Sequence, residues 1–266
     1  MGILNVTPDS FSEQGVNYHY RDAIDSAIRM MAEGADLIDV GGESTRPGAE
    51  TVTVDEELRR VLPVIEALTS MGIPVSIDTR KPDVARRALE SGVAIVNDVT
   101  GMQDPAMMAI CSQMGCTVCI MHMKGAPQTM QAKPEYEDVV SEVVAFLVDR
   151  ANQAVSAGIA ANHIWLDPGI GFGKTPLHNL QLLNQLPTLV AEGFPVLIGV
   201  SRKSTIGVIA GGAPADQRLP GTLAAQTLAQ AAGARIIRAH DVKEARQAID
   251  VTAAILKPSS FSKHPA

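Results

Sequence analysis

Short apolar runs alternate with longer amphipathic segments from one end of the chain to the other. Apolar runs of about four to eight residues are typical of strands that are buried on both faces of a sheet. Several of these runs end on a charged residue, as at Asp78 and Asp167, which places polar chemistry at one rim of the predicted sheet. The predicted strands span residues 2–6, 37–40, 75–78, 94–98, 117–122, 164–167, 196–200 and 235–240.

A helix is predicted after each of these strands, from apolar residues that recur at helical spacing. Pro82 suits the first turn of one such helix, and Gly34, Gly72 and Gly92 suit the ends of others. The predicted helices span residues 20–33, 55–70, 82–91, 105–114, 136–157, 178–191, 222–232 and 242–256.

Eight pairs of a strand and a helix are the number that closes a (β/α)8 barrel. The sequence therefore predicts an α/β fold, a single-domain TIM barrel over residues 1–256, followed by a C-terminal tail over residues 257–266. A doubly wound open sheet is the structural alternative. That fold would need a point at which the strand order reverses, and no GxGxxG segment follows a predicted strand.

The composition is that of an ordinary globular protein, since 46% of the 266 residues are hydrophobic and 19% are charged. The formal net charge is −7 and the chain has no basic run, which argues against nucleic acid as a partner. The first residues form neither a basic segment nor a long apolar one, so we expect a cytoplasmic protein with no membrane partner. An anionic substrate would have to meet a local cluster of positive charge.

The three cysteines are predicted to be buried thiols. Cys116 and Cys119 formally match a CxxC motif, and Cys111 lies nearby. Residues three apart on a strand point to opposite faces of the sheet, so this pair is not expected to share a metal ion.

The ends of the predicted strands supply the candidate chemistry, because the catalytic groups of such barrels lie there. Asp78, Asn97 and Asp167 are hydrogen-bonding groups that suit the edge of a planar, nitrogen-rich heterocycle. The alternative for each is a cap on the following helix, but three aligned strand ends favour one shared site. Within residues 121–123, one side chain is expected to form the floor of the pocket, with Met121 as a candidate, while the others pack in the core.

Arg238 and His240 are two residues apart on the last predicted strand, so their side chains share a face. Together with Asn5 and Arg46 they are predicted to bind phosphate oxygens. The alternative is a surface ion pair with a neighbouring acid such as Asp241. A Mg²⁺ ion also fits Asn5, because proteins hold this ion with few groups of their own plus phosphates and water.

Two long loops near the start, residues 7–15 and 41–48, are rich in turn-forming residues and are predicted to act as lids. Aromatic residues form only 3% of the chain, so Phe11 in the first loop is expected to contact a ligand. The alternative for Phe11 is a hydrophobic staple.

Four motifs in this order closely resemble those of the dihydropteroate synthase family. They span residues 2–12, 39–48, 167–174 and 201–204 and read GILNVTPDSFS, DVGGESTRPG, DPGIGFGK and SRKS. The resemblance implies a Mg²⁺-dependent (β/α)8 barrel of folate biosynthesis, usually a homodimer and a target of sulfonamides. It also implies a reaction in which 6-hydroxymethyl-7,8-dihydropterin diphosphate is joined to 4-aminobenzoate. Pyrophosphate leaves first, the arylamine attacks the resulting pterin cation, and the product is 7,8-dihydropteroate.

The resemblance further implies a role for each matched residue. The pterin would be held by Asp78, Asn97, Met121, Asp167, Lys203 and Arg238. Pyrophosphate would be bound by Asn5, Thr45, Arg46, Arg238 and His240, with Asn5 also at the metal. The aminobenzoate pocket would be lined by Phe11, Pro47, Phe172, Lys203 and Ser204. The catalytic group would comprise Lys203, Arg238, His240, Asp78 and Asp167.

Two other functions are compatible with a pterin-binding barrel. A methyltetrahydrofolate-dependent methyltransferase would share the pterin residues, but it would not need the pyrophosphate-binding residues and would require a corrinoid protein as partner. A non-catalytic pterin- or sulfonamide-binding protein is the second alternative.

For the expected homodimer, small residues of one predicted helix would allow close packing against a second copy, namely Ala224, Ala225, Ala229, Ala231 and Ala232.

Overall fold

The computed structural model describes residues 1–7, 16–44, 51–125, 129–131 and 133–261. Within these residues, eight parallel strands alternate with helices. Each strand lies within a predicted one, except that β2 extends one residue beyond the predicted end at residue 40. The strands are β1 (Gly2–Asn5), β2 (Ile38–Gly41), β3 (Val75–Asp78), β4 (Ile95–Asp98), β5 (Thr117–Met121), β6 (Ile164–Asp167), β7 (Leu197–Ile198) and β8 (Ile236–Ile237).

The strands close into a barrel. Strands β1 to β6 form one sheet in chain order, and β7 pairs with β8. Two parallel bridges join these sheets at both edges, one between Leu166 and Val196 and the other between Gly2 and Ala239. At the second edge the backbone N–H of Ile3 donates to the carbonyl of Ala239 at 3.0 Å. The (β/α)8 barrel is therefore confirmed, and the prediction of a single ring of eight strands holds against the open-sheet alternative.

The helices surround this ring and bury their apolar faces against it. On the second helix, for example, Val61, Val64, Ile65 and Leu68 are completely buried. The helices are α1 (Val16–Ala32), α2 (Val54–Ser70), α3 (Pro82–Glu90), α4 (Pro105–Met114), α5 (Val139–Ser156), α6 (Pro176–Asn184), α7 (Leu186–Val190), α8 (Ser204–Ile209), α9 (Leu219–Ala231), α10 (Val242–Leu256) and α11 (Pro258–Phe261).

Some helices differ from the predicted ones for local reasons. Helix α5 begins at residue 139 rather than 136, because the carboxylate of Asp138 caps it by accepting from the backbone N–H of Val140 at 3.0 Å. The helix predicted over residues 178–191 is two helices that meet at Gln185. Pro187 lies in the first turn of α7, where its missing N–H costs nothing but prevents continuation from α6. The sequence pattern did not predict the short helix α8.

Other expectations concern burial and the chain end. Cys111, Cys116 and Cys119 are all buried free thiols, as predicted. In the described part of the chain, none of the helices combines the length and the apolar character needed to cross a bilayer. Helix α11 lies within the predicted tail and packs against α10. The domain boundary at residue 256 stays a prediction.

The loop between β6 and α6 lies directly against the loop that follows β5. Gly169 and Gly173 both have positive φ, at 66° and 61°. A Cβ atom on Gly169 would lie 1.9 Å from the carbonyl oxygen of His122, and one on Gly173 would lie 2.2 Å from that of Lys124. Only glycine permits this approach of two backbones.

This contact makes Gly169→Ala more destabilising than an alanine at a positive φ would be by itself. Gly193→Ala is the matched control, because Gly193 has a φ of 86° and open space around its Cβ position. We expect the control to lose about 1–2 kcal/mol of unfolding free energy through backbone strain. Gly169→Ala should lose roughly 3 kcal/mol or more in urea titrations, because the backbone must also move. Equal losses in the two variants would contradict the contact.

Candidate active site

The register of the strands brings the predicted polar residues to one rim. Asn5 pairs with Gly41, Gly41 with Asp78, and Asp78 with Asn97 across successive strands. Because residues in register on parallel strands face the same side, these side chains share the interior of the barrel mouth. Gly41 has no side chain, so the space between Asn5 and Asp78 is open. A Cβ atom at Gly41 would lie 3.8 Å from both Asn5 Oδ1 and Asp78 Oδ2.

Arg238 fastens the end of β8 to two other strands. Its Nε donates to Asp39 Oδ2 at 2.6 Å, and its Nη2 donates to Asp78 Oδ2 at 2.9 Å. The same oxygen of Asp39 accepts from Asn97 Nδ2 at 3.1 Å, so β2, β3, β4 and β8 meet in one network. Burial alone would lower the pKa of Arg238, but Asp39 and Asp78 outweigh it and raise the pKa, so the guanidinium is charged.

Two acceptor atoms of this network lie in the barrel interior without a hydrogen-bond partner in the described residues. Asn97 Oδ1 and Asp39 Oδ1 are buried and accept no hydrogen bond within the described parts of the chain. A buried polar atom without a partner costs about 1–3 kcal/mol, so these oxygens are sites for donors of a ligand. Burial also raises the pKa of Asp78, and Arg238 opposes that shift.

Asp167 and Asp98 both end a strand but differ in role. Asp167 is 6% exposed, and its Oδ1 accepts from the backbone N–H of Gly169 at 2.7 Å. Asp98 uses both of its oxygens to cap its own loop, through Thr100 at 2.7 Å and the backbone N–H of Met102 at 2.9 Å. The helix cap left open for Asn97 is not among its hydrogen bonds, since its amide donates to Asp39. The adjacent Asp98, to which the sequence assigned no role, caps the loop instead.

The structure distinguishes the residues at the end of β5. Met121 is in register with Asp167 and is 3% exposed, which places it in the pocket floor. His122 turns the other way, with its Nδ1 2.9 Å from Lys174 Nζ and its ring edge-on to Phe146 at 5.0 Å between centroids. The expectation that one side chain of this segment forms the floor and another packs in the core is consistent with this arrangement.

Lys203 and Phe172 form one wall of the rim. The Nζ of Lys203 lies 4.0 Å from the centroid of the Phe172 ring, within the range of a cation–π contact. Ser204 follows at the start of α8 and is exposed. The structure thus brings Lys203 and Phe172 together from two different loops, while their assignment with Ser204 to an aminobenzoate pocket stays a prediction.

His240 is a neutral hydrogen-bonding group rather than a second positive charge. Burial lowers the pKa of His240 to about 4, and the nearby Arg238 adds to that shift. Its Nδ1 lies 3.0 Å from Ser201 Oγ, which also accepts from the backbone N–H of His240 at 3.2 Å. The predicted pairing of His240 with Arg238 on one strand face therefore supplies one charge and one neutral ring.

Four predicted site residues lie outside the described residues, namely Phe11, Thr45, Arg46 and Pro47. No group of three or more His, Cys, Asp or Glu side chains suited to a metal ion is found in the described residues. The predicted metal residue, Asn5, offers a neutral oxygen. That donor set fits a Mg²⁺ ion that arrives with a phosphate-bearing substrate, because phosphates and water then supply most of its ligands.

Sequence reasoning assigned no role to three buried or half-buried charged residues of the rim. Asp39 supports Arg238, as described above, and Lys174 contacts the loop after β5. Glu43 accepts from Lys81 Nζ at 2.9 Å and from the backbone N–H of Val52 at 3.0 Å. The only available signal was a single charge within an apolar strand or beside a glycine-rich turn, which does not show what the charge contacts.

The chain is similar throughout its length to proteins of known activity. It matches the family described as pterin binding enzyme over residues 1–240. The dihydropteroate synthase of Escherichia coli strain K12 is 46% identical over 265 residues, which cover 99% of this chain and 94% of that protein. The chain belongs to the pterin-binding enzyme family.

Solved structures agree with this assignment. Xanthomonas albilineans dihydropteroate synthase with 4-aminobenzoic acid is 45% identical with a TM-score of 0.91, over 96% of this chain and 92% of that one. The Yersinia pestis dihydropteroate synthase in a sulfonamide drug complex is 44% identical with a TM-score of 0.90, over 96% of this chain and 93% of that one. The resemblance found in the four motifs is therefore confirmed, and it favours a synthase over the two alternative functions.

The network of Arg238 predicts a large cost for removing Asp39. Asp39→Ala leaves a buried guanidinium with one carboxylate instead of two, and breaking such a pair typically costs about 3–5 kcal/mol. Glu56→Ala is the control, because Glu56 also pairs with arginine, namely Arg59 and Arg60, but its side chain is 31% exposed. The control should lose less than about 1 kcal/mol. Chemical denaturation measures both, and a similar small loss for Asp39→Ala would contradict the network.

The buried histidines predict a loss of stability in acid. Burial lowers the pKa of His122 to about 3, whereas an unfolded histidine titrates at about 6.5. Between these values the unfolded chain binds a proton that the folded chain does not, so the unfolding free energy contributed by this group falls as the pH falls. The urea midpoint of the parent protein should decrease more between pH 7 and pH 4 than that of His122→Gln. Parallel pH profiles would show that His122 is not the titrating group.

Proposed function

We propose that this chain condenses 6-hydroxymethyl-7,8-dihydropterin diphosphate with 4-aminobenzoate and releases pyrophosphate and 7,8-dihydropteroate. This is the dihydropteroate synthase reaction of folate biosynthesis, a transfer of the pterin methylene group from oxygen to nitrogen. The proposal rests on the buried acceptor atoms and the carboxylate-paired guanidinium of Arg238 at the barrel mouth. It also rests on the match to the pterin-binding enzyme family.

The pterin edge is assigned to the residues held on the strands. Asn97 Oδ1 is a buried acceptor with no partner among the described residues, and Asp167 has one oxygen beyond the one that binds Gly169. A carboxylate accepts two parallel N–H bonds from a guanidine-like edge, as it does from arginine. Met121 provides the apolar floor beneath the ring, and Lys203 and Arg238 border it.

The pyrophosphate end is assigned to Asn5, Thr45, Arg46, Arg238 and His240. The charged guanidinium of Arg238 stabilises the negative charge that develops on the leaving oxygen as the carbon–oxygen bond breaks. The neutral ring of His240 serves as a hydrogen-bonding group at the same end. Mg²⁺ is part of this proposal, with Asn5 as its protein ligand, and when bound it would neutralise charge on the leaving group.

The aminobenzoate pocket is assigned to Phe11, Pro47, Phe172, Lys203 and Ser204. Phe172 offers an aromatic wall, and the Lys203 ammonium beside it suits the carboxylate of the arylamine. The amine nitrogen attacks the pterin methylene carbon and loses one proton. The carboxylates of Asp78 and Asp167 lie at the same rim and stabilise positive charge on the pterin. Sulfonamides resemble the arylamine, so the same pocket is proposed to bind them.

A homodimer is proposed through the outer faces of α9 and α10. Leu228, Val251 and Ile255 are 72%, 54% and 71% exposed there, beside a groove of about 600 Å³. Such a contiguous apolar area favours a protein partner, and a second copy is the proposed one. Ala229 of the predicted small-residue face points into the core instead. A monomer mass in sedimentation at micromolar concentration would contradict this assembly.

A cytoplasmic location is also proposed, in keeping with three free, buried cysteines.

The function is tested by pyrophosphate release with both substrates, either substrate alone, and both substrates after chelation of Mg²⁺. Release should require both substrates, and mass spectrometry should show dihydropteroate in equal amount. The Escherichia coli enzyme assayed in parallel is the positive control. No product from this chain under conditions in which that control is active would overturn the proposal.

Asp167→Asn tests the pterin assignment. An asparagine retains an oxygen for the backbone N–H of Gly169, but it presents a donor where the pterin needs an acceptor. We expect the pterin dissociation constant, measured by calorimetry, to rise about ten- to a hundredfold, as for a loss of about 1–3 kcal/mol. Asp250→Asn, at an exposed acid on α10, should leave it unchanged. An unchanged constant in Asp167→Asn would remove this residue from the pterin edge.

A further inference from the structure

Lys174 is a buried lysine whose ammonium contacts backbone carbonyls rather than a carboxylate within the described residues. The residue is 2% exposed. Its Nζ lies 3.0 Å from the carbonyl oxygens of both Gly169 and Phe172, and 3.2 Å from that of His122. A fourth contact reaches His122 Nδ1 at 2.9 Å. The Nζ atom of Lys174 therefore contacts three backbone carbonyls and one imidazole ring.

The chemistry of these contacts requires a donor with several hydrogens. Burial lowers the pKa of His122 to about 3, so the ring is neutral and its Nδ1 accepts a hydrogen bond. Burial also lowers the pKa of Lys174 to about 7, while four acceptors around Nζ favour the protonated form with its three N–H groups. The carbonyl of Gly169 also accepts from the backbone N–H of Phe172 at 3.1 Å. Another side chain of similar length without these donors would therefore leave the carbonyls of His122 and Phe172 buried without this partner.

The carbonyls belong to two different loops of the barrel rim. His122 follows β5, whereas Gly169 and Phe172 lie in the turn between β6 and α6. Lys174 thus links this turn to the loop after β5. It contacts the turn at two points, the carbonyls of Gly169 and Phe172, which lie on either side of Gly171. The second of these points is the backbone of Phe172, whose ring lies 4.0 Å from the ammonium of Lys203.

We propose that Lys174 is a positioning residue that fixes the Phe172 wall against Lys203 and thereby sets the affinity for the arylamine substrate. The inference rests on the proposed function, in which Phe172 and Lys203 line the aminobenzoate pocket. Lys174 does not touch the substrate. It acts through the backbone of Phe172, so its loss misplaces the ring without removing any group of the pocket.

The pterin residues are fixed mainly by other contacts, although the nearby Lys174 ammonium also lowers the pKa of Asp167 against the effect of burial. Asp167 lies on β6 and is in register with Met121 of β5. Its backbone carbonyl accepts from the backbone N–H of His122 at 3.0 Å. Asn97 and Asp78 lie on strands that Lys174 does not contact. Losing Lys174 should therefore weaken arylamine binding while pterin binding is retained, a split that a purely structural role would not produce.

The test compares Lys174→Met, which keeps an unbranched side chain without donors, with Lys174→Arg, which keeps the charge. Lys124→Met is the matched control, since Lys124 lies on the neighbouring loop and its side chain is 45% exposed. We expect Lys174→Met to raise KM for 4-aminobenzoate about ten- to a hundredfold, the range expected when a binding group is misplaced. The pterin dissociation constant should rise much less in Lys174→Met, and it should be unchanged in Lys174→Arg, which keeps the positive charge near Asp167. Lys174→Arg should recover part of the arylamine loss, and Lys124→Met should resemble the parent protein.

Equal losses for both ligands, or no loss for the arylamine, would overturn the inference. If Lys174→Met does not fold, His122→Gln carries the test, because it removes the ring contact and leaves the three carbonyls in place. It should give a smaller loss that is again confined to the arylamine, and an equal loss for both ligands would count against Lys174. Activity of the parent protein distinguishes failure of the proposed function from failure of this inference. An inactive parent protein contradicts the proposed function. An active parent protein, with no selective arylamine loss in Lys174→Met, contradicts only the role of Lys174.

Discussion

Arg238 reaches from the end of β8 to carboxylates on β2 and β3, and the closed barrel with its site depends on this contact. Strand β8 is only two residues long, and the backbone around it also bonds to both neighbouring strands, for example from Ala239 to Met1 and from Arg238 to Ile198, both at 3.0 Å. Arg238 adds a side-chain link from this short strand to the opposite side of the ring. A buried guanidinium is costly unless carboxylates accompany it, and buried carboxylates need the cation in turn. Arg238, Asp39 and Asp78 are therefore required together.

The same contact determines how the site meets a ligand. Because Asp39 accepts from both Arg238 and the amide of Asn97, it fixes the orientation of Asn97 and leaves Oδ1 buried without a partner among the described residues. Asp78 gives one oxygen to Arg238, and burial raises its pKa while the guanidinium opposes the shift. The acceptors for a ligand and the positive charge for a leaving group are thus held by one network, which ties binding to folding.

The sequence predicted the strands and most helices, because an apolar run that ends on a polar residue indicates both the strand and the rim. It could not predict the roles of Asp39 and Lys174, because these depend on which residues of other strands and loops lie opposite. The break between α6 and α7 follows from Pro187, a signal that was present but outweighed by the helical spacing around it. Asn97 and Asp98 are adjacent acceptors, and only the strand register shows which one faces the pocket. Roles for Phe11, Thr45, Arg46 and Pro47 stay predictions, since these residues lie outside the described ones.

The two proposed substrate sites differ in what supports them. Residues assigned to the pterin lie mainly on strands, where the ladder and the Arg238 network fix them, so a change there alters stability along with binding. Phe172 lies in a turn fixed by close backbone contacts and by Lys174, and Lys203 lies in the loop after β7. Because the side chains of Phe172 and Lys203 are only half-buried, a substitution at these two positions has more freedom to change the arylamine pocket while the barrel stays folded. Selectivity for the second substrate can therefore vary more readily than recognition of the first.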